Sequence, residues 1–195
     1  HAQFWPEDLD YKGKRAVVIG SGATAVTIVP EMAKAGAAHV TMLQRSPTYM
    51  VSRPSVDKLA NGLRKLLGDK ASYGIIRWRN VLIQQFYFQL ARKHPNYMKG
   101  FLRKELMKEL PPDYEVDRHF NPAYNPWDQR LCAVPDSDLF KAISNGSASV
   151  VTDRIATFTE TGILLGSGRH LDADIIVTAT GLNMQAFGGI SLTVD

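Results

Sequence analysis

Six consecutive residues, Gly20-Ser21-Gly22-Ala23-Thr24-Ala25, have the spacing of a loop that can cradle a pyrophosphate. In a GxGxxG/A loop the first glycine permits a tight turn and the second lets a phosphate reach the main chain. The small third residue lets a helix pack on a strand. The phosphate then sits on the N–H groups that open the helix. A glycine turn in an unrelated α/β protein is the plain alternative, and the flanks decide between them. The apolar run Ala16-Val17-Val18-Ile19 precedes the loop and an Ala-rich stretch follows it. A second group, Gln44-Arg45-Ser46-Pro47, falls where a following strand would end. At that place an acidic residue accepts a hydrogen bond from the ribose of NAD, whereas an arginine accommodates the extra phosphate of NADP. No carboxylate stands there. Arg45 offers a planar, bidentate, charge-assisted contact and Ser46 a hydroxyl, so NADP(H) is expected over NAD(H). A solvated surface arginine is the other reading of Arg45. Cys132 has no CxxC partner, and His39, His94, His119 and His170 lack metal-ligand spacing, so neither disulfide exchange nor a metal centre is expected.

The elements that must position these groups follow from the pattern of apolar residues. Ala16–Ile19 reads as a short buried strand and Ala23–Ala35 as a helix, with Pro30 expected to kink it or shift its start. Gly36 ends that helix and His39–Leu43 reads as a second strand, which makes a βαβ unit. From about residue 55 to 112 apolar residues recur at helical spacing (Leu59, Leu63, Leu66, Leu67, then Ile75, Ile76, Leu82, Phe86), a helical insertion stopped by Pro111 and Pro112. Between Pro122 and Pro135 lies an irregular aromatic loop, and a helix starts near Ser137, capped by Asp136 or Ser137. Val150–Leu171 reads as a small antiparallel meander and Ile175–Val177 as one more buried strand, ending on Ala179-Thr180-Gly181. The fold class expected is α/β: a Rossmann-type nucleotide-binding domain with a parallel sheet, a β-meander and a helical insertion.

Composition bounds the rest. At 195 residues, 45% hydrophobic and 22% charged, the chain suits one domain carrying an insertion and not a disordered protein. A net charge of +4 is too mild to argue for nucleic acid, and no nucleic-acid-binding module is visible. One cysteine excludes an internal disulfide framework and points to a reducing, cytoplasmic setting. No apolar run approaches the ~20 residues of a membrane span. The basic run Arg77, Arg79, Arg92, Lys93, Lys99, Arg103, Lys104 and Lys108, with Trp78, Phe86 and Tyr87, suits either a solvated helix face or weak contact with an anionic membrane surface.

Taken together these segments resemble the flavin-containing and Baeyer–Villiger monooxygenases, in particular a bacterial, actinomycete-like branch. His1-Ala2-Gln3-Phe4-Trp5-Pro6 is similar to the second half of the family fingerprint FxGxxxHxxxW/P. Gln44-Arg45-Ser46-Pro47 resembles the turn that holds the NADP phosphate. Asp174–Gly181 resembles the second linker, where the chain crosses back to the FAD domain. The resemblance implies that residues 1–12 are an inter-domain linker, 13–181 the NADPH-binding domain and 182–195 a linker toward an FAD domain missing from this chain. It implies FAD in the parent protein, a small-molecule substrate and oxygen transfer to a ketone or a soft heteroatom, with Trp5-Pro6 favouring the Baeyer–Villiger side. By position it also implies that Arg130 is the active-site arginine, whose guanidinium steadies the anionic flavin peroxide and holds the nicotinamide amide; an ordinary salt bridge beneath the aromatic loop of Tyr124 and Trp127 is the other reading. The family often carries a lysine just before that arginine. Here Gln129 stands in its place, which puts a second cationic phosphate contact in doubt. No second GxGxxG loop is present to hold FAD, so the chain alone is expected not to turn over. Two alternatives remain: the nucleotide domain of a pyridine-nucleotide-disulfide-type reductase, and a non-enzymatic NADP-sensing module.

Overall fold

The computed structural model describes residues 1–182, 186–191 and 193. The chain opens with a single 3-10 turn, Ala2–Phe4, and then builds β1 (Arg15–Ile19), α1 (Ala23–Lys34) and β2 (His39–Gln44). After β3 (Tyr49–Arg53) come three helices: α2 (Lys58–Lys93), α3 (Pro95–Glu109) and α4 (Val116–Phe120). The remainder is β4 (Leu131–Pro135), α5 (Asp138–Ser144), β5 (Ala148–Thr152), β6 (Ile155–Thr159), β7 (Gly162–Leu165), β8 (His170–Asp172) and β9 (Ile175–Thr178). Part of the expected 182–195 linker, residues 183–185, 192, 194 and 195, lies outside the described residues.

The expected α/β architecture is present. Four parallel strands form the main sheet in the order β5-β2-β1-β9. Its strands are near-continuous apolar runs because both faces are covered. Ala16, Val18, Val40, Met42, Val150 and Val177 turn toward α1 and α5, meeting Val26, Val29, Leu139 and Phe140. Val17, Leu43 and Val151 turn the other way onto Ile163, Leu165 and Leu171 of the antiparallel meander β6-β7-β8. Val17 and Val18 are 1% and 0% exposed, so each contributes about 1.5–3 kcal/mol of burial to this three-layer core.

Several local expectations need correction. Pro30 does not shift the start of α1, which runs from Ala23 past it to Lys34, since losing one main-chain hydrogen bond is outweighed by keeping the helix face buried at Ala25, Val26, Val29 and Met32. β5 belongs to the parallel sheet; the meander starts only at Ile155. The region around Arg130 is not simply a loop, because Leu131–Pro135 is a strand that pairs in parallel with β3, Tyr49 opposite Leu131 and Arg53 opposite Pro135. Neither Asp136 nor Ser137 caps α5 through its side chain. The Ser137 hydroxyl instead meets Ser52 at 2.6 Å, and Asp136 accepts from the Ser55 N–H at 3.0 Å, which ties the end of β4 to the end of β3.

The helical insertion is also more folded back than its periodicity suggests. Gly68 has a non-helical φ of 72° inside α2, and the Asp57 carboxylate beyond the helix start bonds Arg79. A straight helix would separate those residues by ~33 Å, so the chain reverses at Gly68. Of the basic residues in the expected surface run, Arg79, Arg92, Arg103 and Lys108 are each paired with a carboxylate of this chain. No helix among the described residues is long and apolar enough to cross a membrane.

Candidate functional site

The ends of β1, β2 and β9 meet at the glycine loop. The Gly20 N–H donates to the Leu43 carbonyl at 2.8 Å, and the Ala179 N–H donates to the Ile19 carbonyl at 2.8 Å. Gly20 sits at φ +140°, and a Cβ there would lie 2.4 Å from the Ala179 carbonyl oxygen. Only glycine allows β9 to come this close. Gly22 is extended and opens α1 with no side-chain cap, so the N–H groups of the first turn have no side-chain partner and face outward for an anion. A Cβ at Gly22 would meet nothing within 4 Å.

In front of this loop lies a cavity of about 560 Å³. Its walls bring together Gly20, Ser21, Gly22, Ala23, Thr24, Arg45, Ser46, Arg130, Ala179, Thr180 and Gly181, with Ile19 and Leu43 beneath them. Two residues singled out in the sequence do not line it. Ala25 is wholly buried and packs α1 on the sheet. Gln44 is 1% exposed and turns inward, donating to the His119 carbonyl at 2.6 Å and to Thr152 Oγ1 at 2.9 Å. Its Oε1 is buried without a partner. The Gln44 side chain therefore fastens α4 to the sheet behind Arg45 and does not face the cavity.

Arg130 reaches the loop from the start of β4. Its Nε donates to Thr48 Oγ1 at 3.3 Å and its Nη2 to Ser21 Oγ at 3.4 Å, while those two hydroxyls lie 3.1 Å apart. The Arg130 main chain is held as well. Its carbonyl accepts from Tyr124 at 2.9 Å, and the Tyr124 carbonyl accepts from Tyr49 at 2.9 Å. Burial first, then the neighbouring Tyr124 and Asp128, push the Tyr49 phenol up to about 12, so it stays a donor. Thr48, fully buried between loop and arginine, was not singled out in the sequence. Only recognising β3 would have flagged it, because that strand begins one residue later and aims Thr48 at the loop.

Cys132 lies under the same turn, its sulfur 3.7 Å from the Ser21 carbonyl. Burial pushes its thiol up despite the opposing effect of Arg130, which makes it an inert packing group. Among the described residues no cluster of His, Cys, Asp and Glu could hold a metal ion.

A glycine loop between the first strand and helix of a parallel sheet, opening a cleft at the strand carboxyl ends, defines a Rossmann-type α/β domain. No family model matches the chain. Its relatives place it further. It is 58% identical over 193 residues, 99% of the chain, to the FAD-containing monooxygenase EthA of Mycolicibacterium smegmatis, of which it covers 39%. It is 55% identical over its whole length to the probable FAD-binding monooxygenase AlmA of Acinetobacter baylyi, again covering 39%. Among solved structures, an oxidized steroid monooxygenase bound to NADP superposes with a TM-score of 0.67 at 22% identity, over 92% of this chain and 41% of that one. OTEMO in complex with FAD and NADP gives a TM-score of 0.65 at 20% identity, over 90% and 39%. At those identities the likeness to the solved structures is one of fold. The chain is a homologue of part of the FAD-containing monooxygenases and spans about two fifths of the length of the curated relatives it matches.

Proposed function

We propose that this chain is the NADPH-binding part of an FAD-dependent monooxygenase, with residues 13–181 as the nucleotide domain and 55–112 as its helical insertion. The observation that carries the reading is Arg45 with Ser46 on one wall of the cleft that the glycine loop floors, with no acidic side chain among its described lining residues. In that cleft the N–H groups opening α1 hold the pyrophosphate, and the bare main chain at Gly20 and Gly22 lets it approach. Arg45 and Ser46 take the 2′-phosphate, and Ala179, Thr180 and Gly181 border the nicotinamide half. Arg130, anchored on Thr48 and Ser21, brings a permanent cation to the reacting end of the cofactor, where it holds the nicotinamide amide and stabilises developing negative charge. FAD, held by a domain outside this chain, supplies the chemistry that places one oxygen atom of O2 on a ketone or soft heteroatom substrate.

Titration calorimetry with NADPH and NADH tests the reading. NADPH is expected to bind at least tenfold more tightly, and Arg45→Ala to erase most of that margin. A charge-assisted contact worth about 1.5–3 kcal/mol corresponds to a roughly 10- to 150-fold change. Equal affinity for the two nucleotides in the unaltered protein would overturn the assignment.

A further inference from the structure

Arg45 is not the sole guanidinium at this end of the sheet. β5 runs beside β2 with Thr152 opposite Gln44, and the next residue, Asp153, donates its N–H to the Gln44 carbonyl at 2.9 Å. The two chains thus leave the sheet as neighbours about 4.8 Å apart, one continuing as Arg45 and the other as Asp153-Arg154. A second cavity of about 580 Å³ opens between them. It shares Ile19, Leu43 and Arg45 with the glycine-loop cleft and adds Asp153, Arg154 and Ile155.

The turn that carries Arg154 is rigidly held. The Arg154 N–H donates to Asp153 Oδ1 at 2.7 Å, and the Arg154 carbonyl accepts from the Gly166 N–H at 2.7 Å. The other Asp153 oxygen accepts from the Ser167 N–H at 3.3 Å, so both carboxylate oxygens are engaged by the main chain. The Arg154 side chain, in contrast, makes no ion pair or side-chain hydrogen bond among the described residues, and neither does that of Arg45. Two guanidinia therefore border one cavity together with the Asp153 carboxylate, whose oxygens are taken up by main-chain N–H groups, and its remaining walls, Ile19, Leu43 and Ile155, are apolar. That combination suits a flat heteroaromatic ring carrying a phosphate dianion, since the ring covers the aliphatic surface and the dianion relieves the repulsion between the guanidinia.

We propose that Arg154, from the β5–β6 turn, closes with Arg45 on the 2′-phosphate of NADP and is a specificity-determining residue for NADPH over NADH. The proposal rests on the reading of the cleft as an NADP site. It assigns the second phosphate contact to the far side of β2, whereas the Arg130 side of the cleft carries the uncharged Gln129.

The test compares two adenosine halves, 2′,5′-ADP and 5′-ADP, by titration against the unaltered protein, Arg154→Gln and Arg45→Gln. Arg154 is exposed, so its replacement should leave the melting temperature in place. Arg154→Gln is expected to weaken 2′,5′-ADP about tenfold, in line with losing one charge-assisted bond. It should flatten the salt dependence of that binding while leaving 5′-ADP within about twofold. Unchanged 2′,5′-ADP affinity in Arg154→Gln, with loss in Arg45→Gln, would overturn the role of Arg154 and leave the NADP reading intact. Equal loss for both ligands would put Arg154 on the adenine or the 5′-phosphates and would likewise overturn it. If the unaltered protein does not prefer 2′,5′-ADP, the NADP reading itself fails and the proposal falls with it.

Discussion

Exchanging Gly20 and Gly22 for alanine, one at a time, should separate folding from ligand binding within a single turn. At Gly20 the new methyl would sit 2.4 Å from the Ala179 carbonyl oxygen and 3.0 Å from its carbon, at a φ of +140°. Neither obstacle can swing away, because both atoms are main chain and Ala179 is tied to Ile19. The unfavourable φ costs about 1–3 kcal/mol and the forced displacement of the end of β9 roughly as much again. A central figure of ~3 kcal/mol is a large share of the ~5–15 kcal/mol that holds a domain folded, and corresponds to a melting point lower by about 6–12 °C. At Gly22, with φ −83° and ψ −179°, the methyl meets no protein atom, so Gly22→Ala should melt within ~3 °C of the unaltered protein. It would occupy the space through which a pyrophosphate approaches, and NADPH affinity should fall about 30-fold or more, the equivalent of ~2 kcal/mol of overpacking. Thermal melts by circular dichroism, paired with calorimetric titration, read both effects. An unshifted melt for Gly20→Ala would refute the claim that β9 is locked against the loop. Undiminished NADPH binding by Gly22→Ala would show that the phosphates do not come to this turn.

Two further outcomes concern stability. The Tyr114 hydroxyl is buried without a partner and its phenol is pushed up to about 12, by burial first and Glu115 second. Tyr114→Phe should therefore raise stability by about 1 kcal/mol, a gain of ~2–4 °C in the melt, and a lower melting point would contradict it. Burial pushes the His119 imidazole below its usual value, helped by Arg118 and Arg169 and opposed by Glu115. The unfolded chain then takes up a proton near pH ~6.5 that the folded chain resists, so this stabilisation is complete above that pH and fades as the medium is acidified. His119→Gln should be less stable than the unaltered protein at a pH of about 7.5 yet lose less on going to about 5.5; parallel losses would remove His119 as the cause.

Much of the site was legible because its signals are local. The loop Gly20–Ala25, the strand before it and Arg45 after the next strand lie close together in sequence, and each owes its geometry to its own residue types. The missing pieces come from distant pairing. β3 and β4 are short, carry Ser52, Arg53 and Pro135, and find each other across the whole helical insertion. Nothing in either segment alone announces a strand, so Thr48 and the anchoring of Arg130 stayed hidden. β5 was absorbed into the meander because only Asp153 and Arg154 separate it from β6, a spacing that reads as a hairpin. Here β5 instead stays parallel to β2, and the intervening turn carries Arg154 to the cleft. Gln44 turns inward against expectation for a related reason: adjacency to Arg45 says nothing about alternation, and consecutive strand residues point to opposite faces.

The position of β1 also bears on how the molecule comes into being. Its hydrogen bonds go to β2 on one side and to β9 on the other, and β9 is the last strand among the described residues. During synthesis one edge of Ala16–Ile19 must stay unpaired until residues 175–178 have left the ribosome, so an apolar strand edge waits while residues 20–174 are made. Parallel pairing across so long a separation is slow, and the waiting intermediate is the species from which aggregation begins. Because Ala179–Gly181 also wall the cleft, a chain that stops short of them has neither the full four-stranded sheet nor complete walls to that cleft. On the proposed NADPH-binding reading, nucleotide can therefore stabilise only chains that extend past Gly181, by mass action on the folded state.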